Sequence, residues 1–330
     1  MSAGAVERPG QGFRWAVAAT AASAWALVVV GGAVRVSESG LGCPDWPLCD
    51  GRVVPVRQSE PIVEYAHRAT AAIVIGLLVM TAVWSLRRYR SRPDVTVPLA
   101  VALGLVPVQA VLGAIVVWLE LPDRLVGVHF MVGMVMLAVC TQACVAAWRG
   151  GSAISRTFRR AALTAGAASL LLVSLGASVV STDGMHACGE QWPGCNGGVA
   201  SGDATAVLQV LHRSTAYGVA ALALALLVLG LRRHAPLLAA AAPAVLAVAQ
   251  VGVGIGMVLA AHGSLQHDVL RVLHVAGAAA LWAAMVGVVS VSMTPSAAER
   301  APAPRGRAPA PAAAVEGGRL VSCPAASPWC

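Results

Sequence analysis

Four histidines, each near the start of a long apolar stretch, are the residues of this 330-residue chain whose type and spacing first suggest chemistry. His67 and His129 are 62 residues apart, and so are His212 and His274. Each lies 4–6 residues into its stretch, about 6–9 Å along a helix at ~1.5 Å per residue. An ionisable side chain in an apolar helix is costly and marks function by default. A lone histidine reads as readily as a packing or hydrogen-bonding residue between helices as it does as a functional one, and a proton relay is a second alternative. Four at one depth, paired by one separation, read as two bis-imidazole sites inside four-helix bundles, an arrangement that suits ligation of a haem iron. A structural zinc would call for closer spacing and thiolates.

The neighbours of the two pairs differ. Glu64 precedes His67 by three residues and shares its helical face. A shift of 145 residues puts Gln209 in the place of Glu64 and Val210 in that of Tyr65. A buried carboxyl is poised to handle protons, whereas a glutamate with its head in water does nothing special. The asymmetry predicts one reactive haem site and one haem that carries electrons. Arg68 and Arg213 directly follow two of the histidines. They either snorkel to lipid headgroups or pair bidentately with haem propionates.

The elements that must position these groups are membrane helices. The chain is 58% hydrophobic and only 12% charged, too little charge to cover a water-facing surface. A soluble enzyme, a disordered chain and a nucleic-acid binder are excluded on that ground. Apolar runs long enough to cross a bilayer lie at 15–34, 62–85, 97–118, 125–148, 161–180, 206–230, 236–260 and 269–292. The first lacks a convincing cleavage site and reads as a helix rather than a signal peptide. All 23 basic residues are Arg, and they gather after the even-numbered spans and before the first. This places both termini in the cytoplasm.

The sequence repeats itself. The His-Arg pairs, the second histidines, and Gln109-x-x-x-Gly113 against Gln250-x-x-x-Gly254 all recur in the second half. So does an outer loop with two cysteines and a tryptophan, Cys43, Trp46 and Cys49 against Cys188, Trp192 and Cys195. The expected organisation is a cytoplasmic segment 1–14, a four-helix repeat 15–148, a linker 149–160, a second four-helix repeat 161–292 and a disordered cytoplasmic tail 293–330. Four spans per half make the repeat parallel. On the oxidising outer face, Cys43 with Cys49 and Cys188 with Cys195 can form intraloop disulfides, as structural staples or as electron-exchanging pairs. Cys140 and Cys144 read as packing residues, and Cys323 and Cys330 as reduced cysteines of the tail.

With Gly31-Gly-Ala-Val-Arg35, Ser39-Gly-Leu-Gly-Cys43-Pro-Asp-Trp-Pro-Leu-Cys49, Glu64-Tyr-Ala-His67-Arg68, the second cysteine pair, His212-Arg213 and His274, residues 15–292 resemble the haem A synthase family. The resemblance implies an all-α integral membrane enzyme of eight helices in two pseudo-symmetric bundles. Its activity would oxidise a methyl group of haem O to the formyl of haem A through successive hydroxylations. It further implies substrate haem between His67 and His129, Glu64 in catalysis, haem b on His212 and His274, and a first-loop cysteine pair tied to activity or electron delivery. Haem O synthase, terminal oxidase assembly, a membrane electron donor and a second copy of the chain are the partners it suggests, in a bacterial cell membrane. Two other classes compete. A di-haem b electron-transfer cytochrome serving quinone lacks a use for the Glu64/Gln209 difference. A transporter would show helices interrupted near the midplane.

Overall fold

The computed structural model describes residues 8–43, 45–55, 59–149, 154–182, 184, 187–189, 191–192, 194–195, 202–232, 236–293, 314–316 and 319–321. Expectations for Cys323, Cys330, Arg57, Arg233 and most of the tail fall outside these residues. Eight helices account for nearly all of the described chain: α1 Gln11–Val36, α2 Ser59–Arg88, α3 Pro93–Trp118, α4 Asp123–Trp148, α5 Arg156–Ser181, α6 Ala204–Leu231, α7 Leu237–Leu259 and α8 Leu265–Ser292. Each is long and apolar enough to cross a membrane, because a helix satisfies its backbone polar groups internally where no water can. The protein is an all-α, multi-pass membrane protein.

Most helices overrun the apolar stretches by one to four residues at an end. Polar caps cause part of this: Ser155 Oγ accepts from Phe158 N at the start of α5, Asp203 from Thr205 N at α6, and Ser264 from His267 N at α8. Each such cap stabilises a helix start by about 1 kcal/mol. In consequence His67, His129, His212 and His274 stand 8, 6, 8 and 9 residues beyond their first helical residues, deeper than the apolar runs alone suggest. Pro98 and Pro107 in α3 and Pro243 in α7 are tolerated inside their helices.

Helices α1 to α4 close a ring, each packed on the next and α4 on α1, and α5 to α8 close a second. In each ring the two histidine-bearing helices, α2 with α4 and α6 with α8, are diagonal partners across the bundle. The rings join through α1–α8, α4–α8 and α4–α5. Lipid offers no hydrophobic drive for helix association, so close approach of small residues and interhelical hydrogen bonds supply it. A Cβ on Gly32 would lie 2.8 Å from Val275. Trp25 Nε1 donates to the Ala276 carbonyl at 3.0 Å, and buried Trp282 Nε1 to that of Met134 at 2.9 Å. One buried cluster includes Phe13, Leu78, Leu99, Leu137 and Trp282, and another Phe158, Leu226 and Met285.

At the opposite ends of the helices from the cysteine loops, Arg92 binds Asp94 through two 2.9 Å hydrogen bonds and reaches the Ala146 carbonyl of α4. The Asp94 carboxylate raises the arginine above its ordinary value. The tail contains a short antiparallel ladder that its composition did not suggest: β1 Ala314–Glu316 pairs with β2 Arg319–Val321, Val315 opposite Leu320.

Candidate functional site

Each imidazole lies against a glycine of the helix before it. A Cβ on Gly31 would be 3.1 Å from the His67 ring, and on Gly176 3.1 Å from His212. Gly113 and Gly254 sit likewise under His129 and His274, at 3.5 and 3.4 Å. Any larger residue would push at least the first two rings out of place. Gln109 Nε2 donates to the His129 backbone carbonyl at 3.2 Å, and Gln250 Nε2 to that of His274 at 2.5 Å. The two halves therefore use one device: the Gln-x-x-x-Gly motif holds the histidine's backbone with its first residue and makes room for the ring with its last. Gly133 and Gly277, one turn beyond the histidines, leave space for the glutamines. The sequence showed the motif but not its purpose, which needs α3 beside α4 and α7 beside α8.

The His212 and His274 rings face one another with centroids 6.4 Å apart and planes inclined at 67°. Nδ1 of all four histidines is buried and has no hydrogen-bond partner, a costly state for an imidazole that nothing else holds. Among the described residues no three His, Cys, Asp or Glu side chains gather into a protein-only metal site. The imidazoles come in twos, too few for tetrahedral zinc and the number a haem iron accepts on its two axial faces.

Above the first pair, the loop after α1 is folded into a cap. Disulfides join Cys43 to Cys49 and Cys188 to Cys195, and the first is almost wholly buried. Asp50 and Gly51, at φ 51° and 67°, turn the chain so that Cys49 and Arg52 exchange backbone hydrogen bonds, the geometry of a tight turn with both central residues left-handed. Asp45 accepts the amides of Asp50 and Gly51 at 2.6 and 2.9 Å. The Gly51 bond foremost holds the Asp45 carboxyl below its usual range.

Glu64, only 4% exposed, ties this cap to α2. Its Oε2 accepts the Cys43 amide at 2.8 Å and its Oε1 the Arg68 guanidinium at 2.5 Å. Arg68 also donates to the carbonyls of Asp45 and Leu48 at 2.9 and 2.5 Å. In the second half the polarity is reversed. Gln209 Nε2 donates to the Gly184 carbonyl at 2.9 Å, and Arg213 to those of Gln191 and Gly194, both at 2.8 Å. The carboxylate thus holds its loop by an amide, the glutamine by a carbonyl. Both arginines, read from sequence as snorkelling or propionate-binding, donate to their loops. Arg68→Ala is expected to speed reduction of the Cys43–Cys49 disulfide at fixed reductant roughly tenfold, as the loss of hydrogen bonds from a charged donor implies. Thiol labelling over time measures it, and an unchanged rate would show that Arg68 does not hold the cap shut.

Residues 14–286 match the family model described as cytochrome oxidase assembly protein, COX15-CtaA. Relatives include a haem A synthase of an Exiguobacterium species, 29% identical over 51% of this chain and 58% of its own length. A haem A synthase of Shouchella clausii is 29% identical over 61% of this chain and 71% of its own. Protohaem IX farnesyltransferase 1 of Natronomonas pharaonis is 38% identical over 39% of this chain and 26% of its own length. The chain thus spans little more than half of the Exiguobacterium relative. With a match that runs from α1 nearly to the end of α8 and takes in all four histidines and both disulfides, this chain belongs to the COX15-CtaA family of cytochrome oxidase assembly proteins.

Proposed function

We propose that the protein is a haem A synthase that oxidises a methyl group of haem O to formyl. The observation that carries this reading is a pair of diagonal bis-imidazole sites of which one alone has a carboxylate at its rim. His212 and His274, whose ring centroids are 6.4 Å apart across the second bundle, would hold a haem iron between them. The four glycine seats also leave each ring room to stand at the centre of its bundle, as a large flat group clasped between the rings would need.

In this reading His212 and His274 hold haem b, which supplies one-electron redox chemistry when bound. His67 and His129 hold the substrate haem and fix where its edge meets Glu64. Glu64 takes or returns a proton at its carboxylate oxygens, which the Cys43 amide and Arg68 keep oriented. The capped loop keeps bulk water from that carboxylate. Arg68 and Arg213 act first on their loops; a propionate reaching either would compete with backbone carbonyls already bound. The two halves serve as substrate and electron-carrying domains, with the cysteine loops outside and both termini in the cytoplasm of a bacterial cell. The farnesyltransferase relative suggests a protein that makes haem O as a functional neighbour, with terminal oxidase assembly as the consumer of haem A.

Pigment extraction with mass analysis of the purified protein tests the reading. Protohaem together with haem O or haem A is the expected result. Protohaem alone would turn the protein into an electron-transfer cytochrome, and no haem would remove both readings.

A further inference from the structure

We propose that Arg271 binds a propionate carboxylate of the haem held by His212 and His274, and so anchors that haem as the resident one. This rests on the reading above that the second bundle holds a haem. His212 and His274 stand at least twice as far from the far ends of α6 and α8 as from the ends at the cysteine loops. A carboxylate is costly at membrane depth, so the propionates of a haem between them turn to the nearer end.

Three arginines stand within one turn of a histidine of the two pairs, and two of them are spent. Arg68 donates to Glu64 and to carbonyls of its loop, and Arg213 to the carbonyls of Gln191 and Gly194. Arg271 lies on the same side of α8 as His274, one turn nearer the loops. Its one partner among the described residues is Asp268, at 3.5 Å, too long for a good hydrogen bond. The Arg271 side chain lines a cavity of about 370 Å³ between the end of α1 and the start of α8. Glu38, His262, His267 and Asp268 line it too. Of these groups the guanidinium alone is a permanent cation, and its planar fork matches a carboxylate bidentately.

The first half spends the matching charge. Asp123 and Asp268 each precede the second histidine of their pair by six residues. Arg35 of α1 holds Asp123 at 2.5 Å, a tight pair that joins two helices of the ring. The shift of 145 residues puts Val126 in the place of Arg271 and Val180 in that of Arg35. Arg124, five residues before His129, falls on another side of α4. Among the described residues, an arginine without a tight partner thus stands one turn from a histidine in the second bundle and not in the first. A cofactor that stays gains from such an anchor, whereas a substrate must leave after each turnover.

The test is transfer of haem from the purified, detergent-solubilised holoprotein to excess apomyoglobin. It is followed on the low-spin bis-imidazole absorption that His212→Ala removes. Arg271→Gln is expected to release that haem roughly tenfold faster, the worth of a hydrogen bond between charged groups. Asp268→Asn takes away the competing carboxylate and is expected to release it no faster than the unaltered protein. An unchanged rate in Arg271→Gln overturns the proposal. So does equal acceleration in both variants, which would mean that Arg271 acts only through Asp268. Should Arg271→Gln emerge without its haem, Arg271→Lys decides: the retained charge is expected to keep the haem, and its loss there overturns the proposal too. A low-spin spectrum that survives His212→Ala fails the reading of the second bundle itself, a result separate from the behaviour of the Arg271 variants.

Discussion

Glu64→Gln is expected to keep both haems and to lose haem A formation by at least about 100-fold, the scale of a lost proton-transfer group. The glutamine cannot take a proton at its rim position, and its geometry is wrong as well. Glu64 meets two donors, the Cys43 amide and the Arg68 guanidinium. An amide would turn an NH2 group against one of them and leave a donor unpaired. Gln209 avoids this because its loop presents a carbonyl. Loss of activity in Glu64→Gln therefore has two physical sources, a missing proton acceptor and a loosened cap. Arg68→Ala separates them, since it frees the cap and leaves the carboxylate. Activity well above that of Glu64→Gln in Arg68→Ala assigns the larger share to proton transfer. Normal conversion by Glu64→Gln, measured as haem A against haem O in extracted pigment, would take Glu64 out of the reaction.

His212→Ala and His274→Ala are each expected to abolish the low-spin bis-imidazole spectrum of the second haem and to lower haem content by about one per chain. His67→Ala is expected to leave that spectrum in place and to lose bound haem O. His212 and His274 would hold this haem together, so removal of either imidazole would leave the group with one protein ligand. Low-spin spectra for His212→Ala indistinguishable from the unaltered protein would mean that the second haem does not sit between α6 and α8. Electron paramagnetic resonance of the two second-half variants tests this without reliance on catalysis.

Much of the architecture was open to reading from composition. Eight apolar runs became eight helices, since unbroken apolar runs of about 20 residues satisfy their backbone in lipid as helices, and only the ends moved. The helix starts were the harder part, because Ser155, Asp203 and Ser264 extend helices into polar segments that hydropathy leaves out. The ladder at 314–321 was not foreseen either. Its two three-residue strands are too short for alternation to register, and the pairing is between segments rather than within one.

For the site, the residue types were legible and their partners were not. The recurrence of His67, His129, His212 and His274, the contrast of Glu64 with Gln209 and the two cysteine pairs are periodicities of a duplicated chain, which sequence records directly. That Gly31 and Gly176 seat imidazoles, that Gln109 and Gln250 hold histidine carbonyls, and that Arg68 grips a loop 20 to 23 residues away depend on how rings of four helices close. By itself the sequence determined a membrane protein with two related halves and one chemical difference between them. Only the tertiary structure decided that the histidines stand on diagonal helices and that the carboxylate is tied to the disulfide loop. Residue spacing along one helix reports its faces, whereas contact between helices depends on neighbours that no local pattern names.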